Sequence, residues 1–351
     1  MADAKTITII GSGMMGSALA FPARENGNEV RLVGTHLDRE IIDNCRAKNR
    51  HPKFNYDFPE GVKFYQIEEV DEAIEGADFI IGGVSSFGVE WFGDYILPRI
   101  PEETPIITVT KGLQNLEDGT LITYPEVWRR MLEEKGLKRN LNAIGGPCTS
   151  YELVFHDNTE VSFCGNDLET LRMIKSAMAT DYYHISLSTD VMGVEAAVAL
   201  KNAYAFGVAL TIGLNQKLHG LDSELHYNSQ AAVFGQATRE MAKSLAIQGA
   251  DDLNNLVVGV GDLYVTVYGG RTRLIGILLG RGMSIDEALE ELAGVTLESL
   301  VVSRRVAAAF RIKAERGEID INEFPLLTHI DDIISNGAEV DIPWEAFTYE
   351  K

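Results

Sequence analysis

The sequence predicts an α/β chain: an N-terminal doubly wound, largely parallel sheet followed by an all-helical domain. Three observations carry this. Short Val- and Ile-rich runs alternate with helical spans through the first half. A glycine turn separates the first run from the first helix. After Thr189 the alternation stops and long apolar or amphipathic helical stretches take over. The runs are TITII at 6–10, NEVRLV at 28–33, FIIGGV at 79–84, PIITVT at 105–110, NLNAIGG at 140–146, EVSFCG at 160–165 and YYHISLS at 182–188. The helical stretches cover 191–213, 229–247, 272–280, 284–293 and 298–315, and the tail FPLLTHIDDIISNGAEVDIPWEAF keeps apolar periodicity. This places a boundary near 188, giving domains of 1–188 and 189–351.

Composition narrows the class. The chain has 351 residues, 45% of them hydrophobic, with a net charge of −21. Such an acidic balance argues against nucleic acid or an anionic membrane as partner. It also repels anionic substrates at long range, so an anion site must hold its own lysines and arginines. Cys45, Cys148 and Cys164 are far apart, and the seven histidines show no ligand spacing, so no metal site is expected. Reduced thiols and an N-terminus without a cleavage pattern point to the cytoplasm. Gly193 to Gly213 is long and apolar, but Glu195, Lys201 and Asn202 interrupt it, so it reads as a buried helix rather than a membrane span.

In IIGSGMMGSALA, Gly11, Gly13 and Gly16 form G-x-G-x-x-G between the first strand and a helix, with Ser12, Met14 and Met15 completing the loop. The first glycine allows the tight turn, the second lets backbone approach a pyrophosphate, and the third brings helix close to sheet. A Rossmann-type dinucleotide domain follows from that context. After the second strand stand Gly34, Thr35 and His36, with Arg39 a turn later. No carboxylate is expected there to repel a 2′-phosphate. NADP and NAD both remain open, with Thr35, His36 or Arg39 available to a phosphate and the balance inclined to NADP.

EAAVALKNAYAFG, 195–207, sets Lys201 in an apolar helical stretch. Its neighbours three and four positions away are Ala197, Val198, Tyr204 and Ala205, so no local ion pair explains it.

TVTKGL at 108–113, GGPCTSYE at 145–152, GVEAAVALKNAYAFG at 193–207 and GVGDLYVTVYGGRTRLIGILLGRG at 259–282 follow in order behind the glycine loop. Together they resemble the NAD(P)-dependent glycerol-3-phosphate dehydrogenase family over nearly the whole chain. The adjacent Lys201–Asn202 and the Gly261–Thr266 run are its most specific parts. The resemblance implies reduction of dihydroxyacetone phosphate to glycerol 3-phosphate by a hydride from NAD(P)H. It implies Lys201 as proton donor, Asp262 as its partner from a distant turn, and Lys111 as a second cation near the reacting oxygen or the cofactor. Arg271 would grip the substrate phosphate, with Asn202, Thr266 and Thr272 around it. Phe87, Glu298 and Arg271 would lie at the cofactor. A homodimer is also implied.

Several positions depart from the family pattern: Thr272 stands where asparagine is usual, Ser85–Ser86 replaces a Pro-containing pair, and Gly145-Gly146-Pro147-Cys148 replaces Ser-Gly-Pro-Ser. Gln236 stands where an arginine is frequent, and 215–230 is longer and more polar. These changes surround the phosphate and polyol ends. They leave open a same-fold dehydrogenase acting on another phosphorylated or free ketose or polyol, or a dinucleotide-binding protein without catalysis.

Overall fold

The computed structural model describes residues 4–295 and 297–350. The strands are β1 (Thr6–Ile10), β2 (Glu29–Val33), β3 (Lys63–Tyr65), β4 (Phe79–Gly82), β5 (Ile106–Thr108), β6 (Leu113–Asn115), β7 (Leu121–Thr123), β8 (Leu141–Gly145), β9 (Thr159–Cys164) and β10 (Tyr183–Ser188). The earlier helices are α1 (Met14–Glu25), α2 (Arg39–Lys48), α3 (Val70–Ile74), α4 (Val89–Trp91), α5 (Tyr124–Glu134), α6 (Ser150–Val154) and α7 (Leu168–Met178). The later ones are α8 (Val191–His219), α9 (Tyr227–Ile247), α10 (Leu253–Tyr268), α11 (Arg271–Gly280), α12 (Ile285–Glu291), α13 (Glu298–Glu315) and α14 (Pro325–Asn336). Two compact units result: Met1–Lys111 with Tyr124–Val194, and Gly112–Thr123 with Glu195–Lys351.

In the first unit, eight strands form one sheet in the order β10-β9-β8-β5-β4-β1-β2-β3. All neighbours run parallel except β8 and β9, which pair antiparallel. The central strands β1, β4 and β5 are mostly isoleucine, with buried Thr8 and Thr108 among them, because helices cover both faces. Ile7, Ile9, Leu32, Phe79 and Ile81 face one core, while Ile10, Val33, Ile80, Ile106 and Trp128 face the other. Each of those wholly buried aliphatic side chains contributes about 1.5–3 kcal/mol. Trp128 also satisfies its indole N–H on the Val89 carbonyl at 2.8 Å. Strand order reverses between β1 and β4, so a crevice opens at their carboxyl ends.

In the second unit α8 is the spine. It is long and apolar enough to cross a membrane, yet 89% of its most apolar window is buried inside the protein. Helices reach it through glycines. A Cβ on Gly280 of α11 would lie 2.3 Å from the Leu210 carbonyl oxygen, and one on Gly213 of α8 would lie 2.2 Å from that of Ile277. On α10, a Cβ at Gly259 would meet the Ala197 methyl at 2.8 Å. Backbone therefore packs on backbone where any side chain would hold the helices apart. The β6–β7 hairpin belongs here too: Arg305 and Arg316 of α13 donate to the carbonyls of Leu113 (3.0 Å) and Asp118 (2.7 Å).

Candidate active site

In the first unit the glycine loop crosses the β1–β4 crevice. Gly11 has φ +112°, and Gly16 lies so close beneath it that a Cβ would sit 2.0 Å from the Gly11 carbonyl oxygen. A Cβ on Gly83, after β4, would also crowd that oxygen, at 2.8 Å. Gly13 is different: nothing lies within 4 Å of where its Cβ would be. The open backbone there, at the start of the 12-residue helix α1, is the concavity an anionic diphosphate needs. Gly11, Gly13, Thr35, His36, Asp38 and Phe87 line a cavity of about 260 Å³. Ser12 and Gly16 shape it from behind, and Met14 and Met15 pack partly buried against the sheet. These residues fit a dinucleotide.

The structure corrects the expectation that no carboxylate serves this pocket. Asp38 lies five residues past β2, but its carboxylate turns back. Its Oδ2 accepts from the Ser12 N–H (3.3 Å), the Thr35 N–H (2.9 Å) and the Thr35 hydroxyl (2.8 Å). Arg39, offered above as a phosphate ligand, is instead ion-paired with Glu68.

His51 is another residue the sequence did not single out. It is buried, with Nε2 3.2 Å from the Ser12 carbonyl oxygen. Burial pushes its pKa below the ordinary value, opposed by the Ser12 contact. The signal was faint: a histidine in a polar loop, with nothing nearby to suggest a partner across the fold.

Lys111 ends the segment after β5 and donates to the Gly146 carbonyl oxygen at 3.1 Å, tying together the loops that follow β5 and β8. Phe87 is 66% exposed on the turn after β4, which Ser85 and Ser86 begin.

In the second unit Lys201 Nζ lies 2.5 Å from Asp262 Oδ1. The lysine side chain is 13% exposed and the aspartate 1%, so the pair is nearly dry. Asp262 is not on a turn, as expected above, but inside α10, facing α8. Thr266, one turn on, donates its hydroxyl to the Asp262 backbone carbonyl at 2.7 Å. Asn202 and Thr272 are buried. Arg271 opens α11 after Gly270, whose φ is +86°. Its half-exposed guanidinium is 4.0 Å from Glu298, a loose pair of the kind worth about 0–1 kcal/mol. Gln236 is buried on α9, donating to Glu240 at 2.8 Å and accepting from Arg239 at 2.5 Å.

Known proteins share this sequence and this fold. Residues 6–171 match the model of the NAD-dependent glycerol-3-phosphate dehydrogenase N-terminus, and 190–345 match that of its C-terminus. The NADP(+)-dependent glycerol-3-phosphate dehydrogenase of Archaeoglobus fulgidus is 35% identical over 288 residues, covering 82% of this chain and 83% of that one. The glycerol-3-phosphate dehydrogenase [NAD(P)+] of Streptococcus thermophilus is 28% identical, covering 95% and 92%. Two solved structures share the fold. Glycerol-3-phosphate dehydrogenase from Coxiella burnetii has a TM-score of 0.77 at 23% identity, covering 98% of each chain. That from Plasmodium falciparum has a TM-score of 0.82 at 20% identity, covering 99% of this chain and 96% of that one.

Proposed function

Because the chain belongs to the NAD-dependent glycerol-3-phosphate dehydrogenase family, we propose that Lys201 is the proton donor to dihydroxyacetone phosphate, held by Asp262. The protein is an NAD(P)-dependent oxidoreductase acting on a CH–OH group. The observation that carries the residue assignment is the nearly dry 2.5 Å contact between Lys201 and Asp262.

When bound, the dinucleotide supplies or accepts the hydride. Gly11, Gly13, Thr35, His36 and Phe87 would hold it, with Lys111 beside the reacting end and Glu298 near the cofactor. In the reducing direction the ketone oxygen gains negative charge as its carbon is reduced. Lys201 Nζ stabilises that charge and passes over a proton, and Asp262 fixes the ammonium's direction throughout. In the oxidising direction the neutral amine takes the hydroxyl proton back. Arg271 binds the phosphate with its planar fork at the start of α11, where the helix N-terminus adds to the attraction. Asn202 and Thr272 offer neutral donors. Thr266 has its hydroxyl hydrogen committed to Asp262, so it serves substrate as an acceptor. The family resemblance supports a cytoplasmic homodimer.

The test is oxidation of NADH and NADPH against a panel of phosphorylated and free ketoses. Dihydroxyacetone phosphate should be reduced fastest and free dihydroxyacetone poorly. Faster turnover of another ketose would reassign the substrate. No turnover of any, with dinucleotide bound, would leave a binding protein.

A further inference from the structure

We propose that His51 is a positioning residue for the dinucleotide: it holds the Ser12 carbonyl inward so that the Gly13 N–H is aimed into the cavity. The inference rests on the cofactor reading above.

Two consecutive peptides carry the glycine loop. In the first, the Ser12 N–H points to Asp38 while the Gly11 carbonyl points the opposite way, against Gly16. In the second, the Ser12 carbonyl accepts from His51 Nε2 (3.2 Å) and from the Ser17 hydroxyl (3.0 Å). Across a trans peptide the carbonyl and the following N–H point in opposite directions. Fixing the Ser12 oxygen inward therefore turns the Gly13 N–H outward, where Gly13 lines the cavity and no side chain obstructs. A single amide is freely reoriented in a flexible glycine loop, so the grip has to come from elsewhere.

His51 is built for that grip. It is 1% exposed, its ring lies against Phe54 with centroids 4.8 Å apart, and the Lys53 N–H donates to its Nδ1 at 3.1 Å. A donor at Nδ1 requires that nitrogen to be bare, so the ring hydrogen sits on Nε2 and points at Ser12. Two charged groups face the ring, Lys53 from its own loop and Asp38 from the start of α2. Protonation would put an N–H on Nδ1 directly against that of Lys53. The ring would have to turn, releasing the Ser12 carbonyl. Dinucleotide affinity should therefore weaken on acidification.

The experiment titrates the full-length wild type, His51→Gln and His51→Leu with NADH and with NADPH, by nucleotide fluorescence without ketone, from about pH 5 to 8. At the alkaline end His51→Leu should bind about tenfold more weakly, and in a parallel steady-state assay with ketone present the deficit should fall on the Michaelis constant for the dinucleotide rather than on turnover. His51→Gln retains an N–H for Ser12 and should recover most of the affinity while losing the acid limb seen in wild type. His51→Leu binding as tightly as wild type overturns the proposal. So does an identical acid limb in wild type and His51→Gln, a comparison that survives even where the leucine variant folds poorly. A wild type that binds neither dinucleotide overturns the cofactor reading itself, and this inference with it.

Discussion

The ammonium of Lys201 and the carboxylate of Asp262 meet at 2.5 Å although 61 residues separate them, because α8 and α10 approach backbone to backbone at Gly259. A lysine whose neighbours three and four positions along the chain are alanine, valine and tyrosine thus meets a counter-charge across a helix interface. Lys201→Ala should lower turnover at least about a hundredfold, near 2.7 kcal/mol of transition-state stabilisation. Dinucleotide affinity should hold. Steady-state kinetics beside a fluorescence titration measure both, and near-normal turnover would remove Lys201 from the chemistry.

Arg271 should reveal its task through selectivity. Arg271→Ala is expected to raise the Michaelis constant for a phosphorylated ketose by about tenfold or more, since a charge-assisted bidentate contact is lost. The constant for the unphosphorylated analogue should barely move. Equal shifts for both substrates would take the phosphate away from this residue.

The glycine loop offers a paired comparison. Gly16→Ala pushes a methyl to 2.0 Å from a backbone oxygen, so the loop must deform and both stability and dinucleotide affinity should drop. Gly13→Ala meets nothing in the folded protein and should unfold at nearly the wild-type temperature. It should nonetheless bind NAD(P)H about tenfold more weakly, because its methyl occupies the approach of the diphosphate. Thermal unfolding and titration of both variants separate the two effects.

Glu240 supplies a prediction about pH. It is buried on α9, and its carboxylate accepts from the N–H groups of Leu326 (2.8 Å) and Leu327 (3.0 Å), capping α14. Burial pushes its pKa up to about 7, only partly offset by those bonds and by Gln236. A raised acid pKa means the folded chain holds the proton more tightly than the unfolded one. The stabilisation is complete below about pH 4.5 and is lost as pH rises through about 7. Relative to Glu240→Gln, whose amide does not titrate, wild type should lose on the order of 3 kcal/mol across that window. Urea unfolding at a series of pH values gives the difference, and parallel curves for the two proteins would contradict it.

Legibility in the sequence followed how local the signal was. β1 and β4 announce themselves as runs rich in isoleucine because parallel strands are buried on both faces. β3, β6 and β7 are three residues each, too short to show a period. α10 was missed for a different reason. Gly259 and Gly261 weaken the helical signal, so the stretch is not among the predicted helices, whereas Gly259 is there so that the helix can lie against Ala197. That misreading put Asp262 on a turn. Asp38 escaped because the acid was sought at the end of β2, while a turn through Thr35 carries it back from farther along. The lysine, the arginine and the glycine loop were visible as residues in order; the partners that orient them come from tertiary packing.

The glycine crossing of α8 and α11 has a bearing on substrate length. The crossing continues to Gly276, where a Cβ would lie 2.9 Å from the Phe206 carbonyl oxygen, so from Phe206 back to Lys201 and from Gly276 back to Arg271 there remain five residues each, about 7.5 Å of helix. The two helices thus act as the legs of a caliper pinned at its hinge, with the proton donor on one leg and the anion grip on the other. Opening the hinge by roughly ten degrees would move the tip of either leg by about 1.3 Å, close to one carbon–carbon bond. A bulkier residue at the pin would regauge the instrument for a longer sugar without touching any group that meets the ligand.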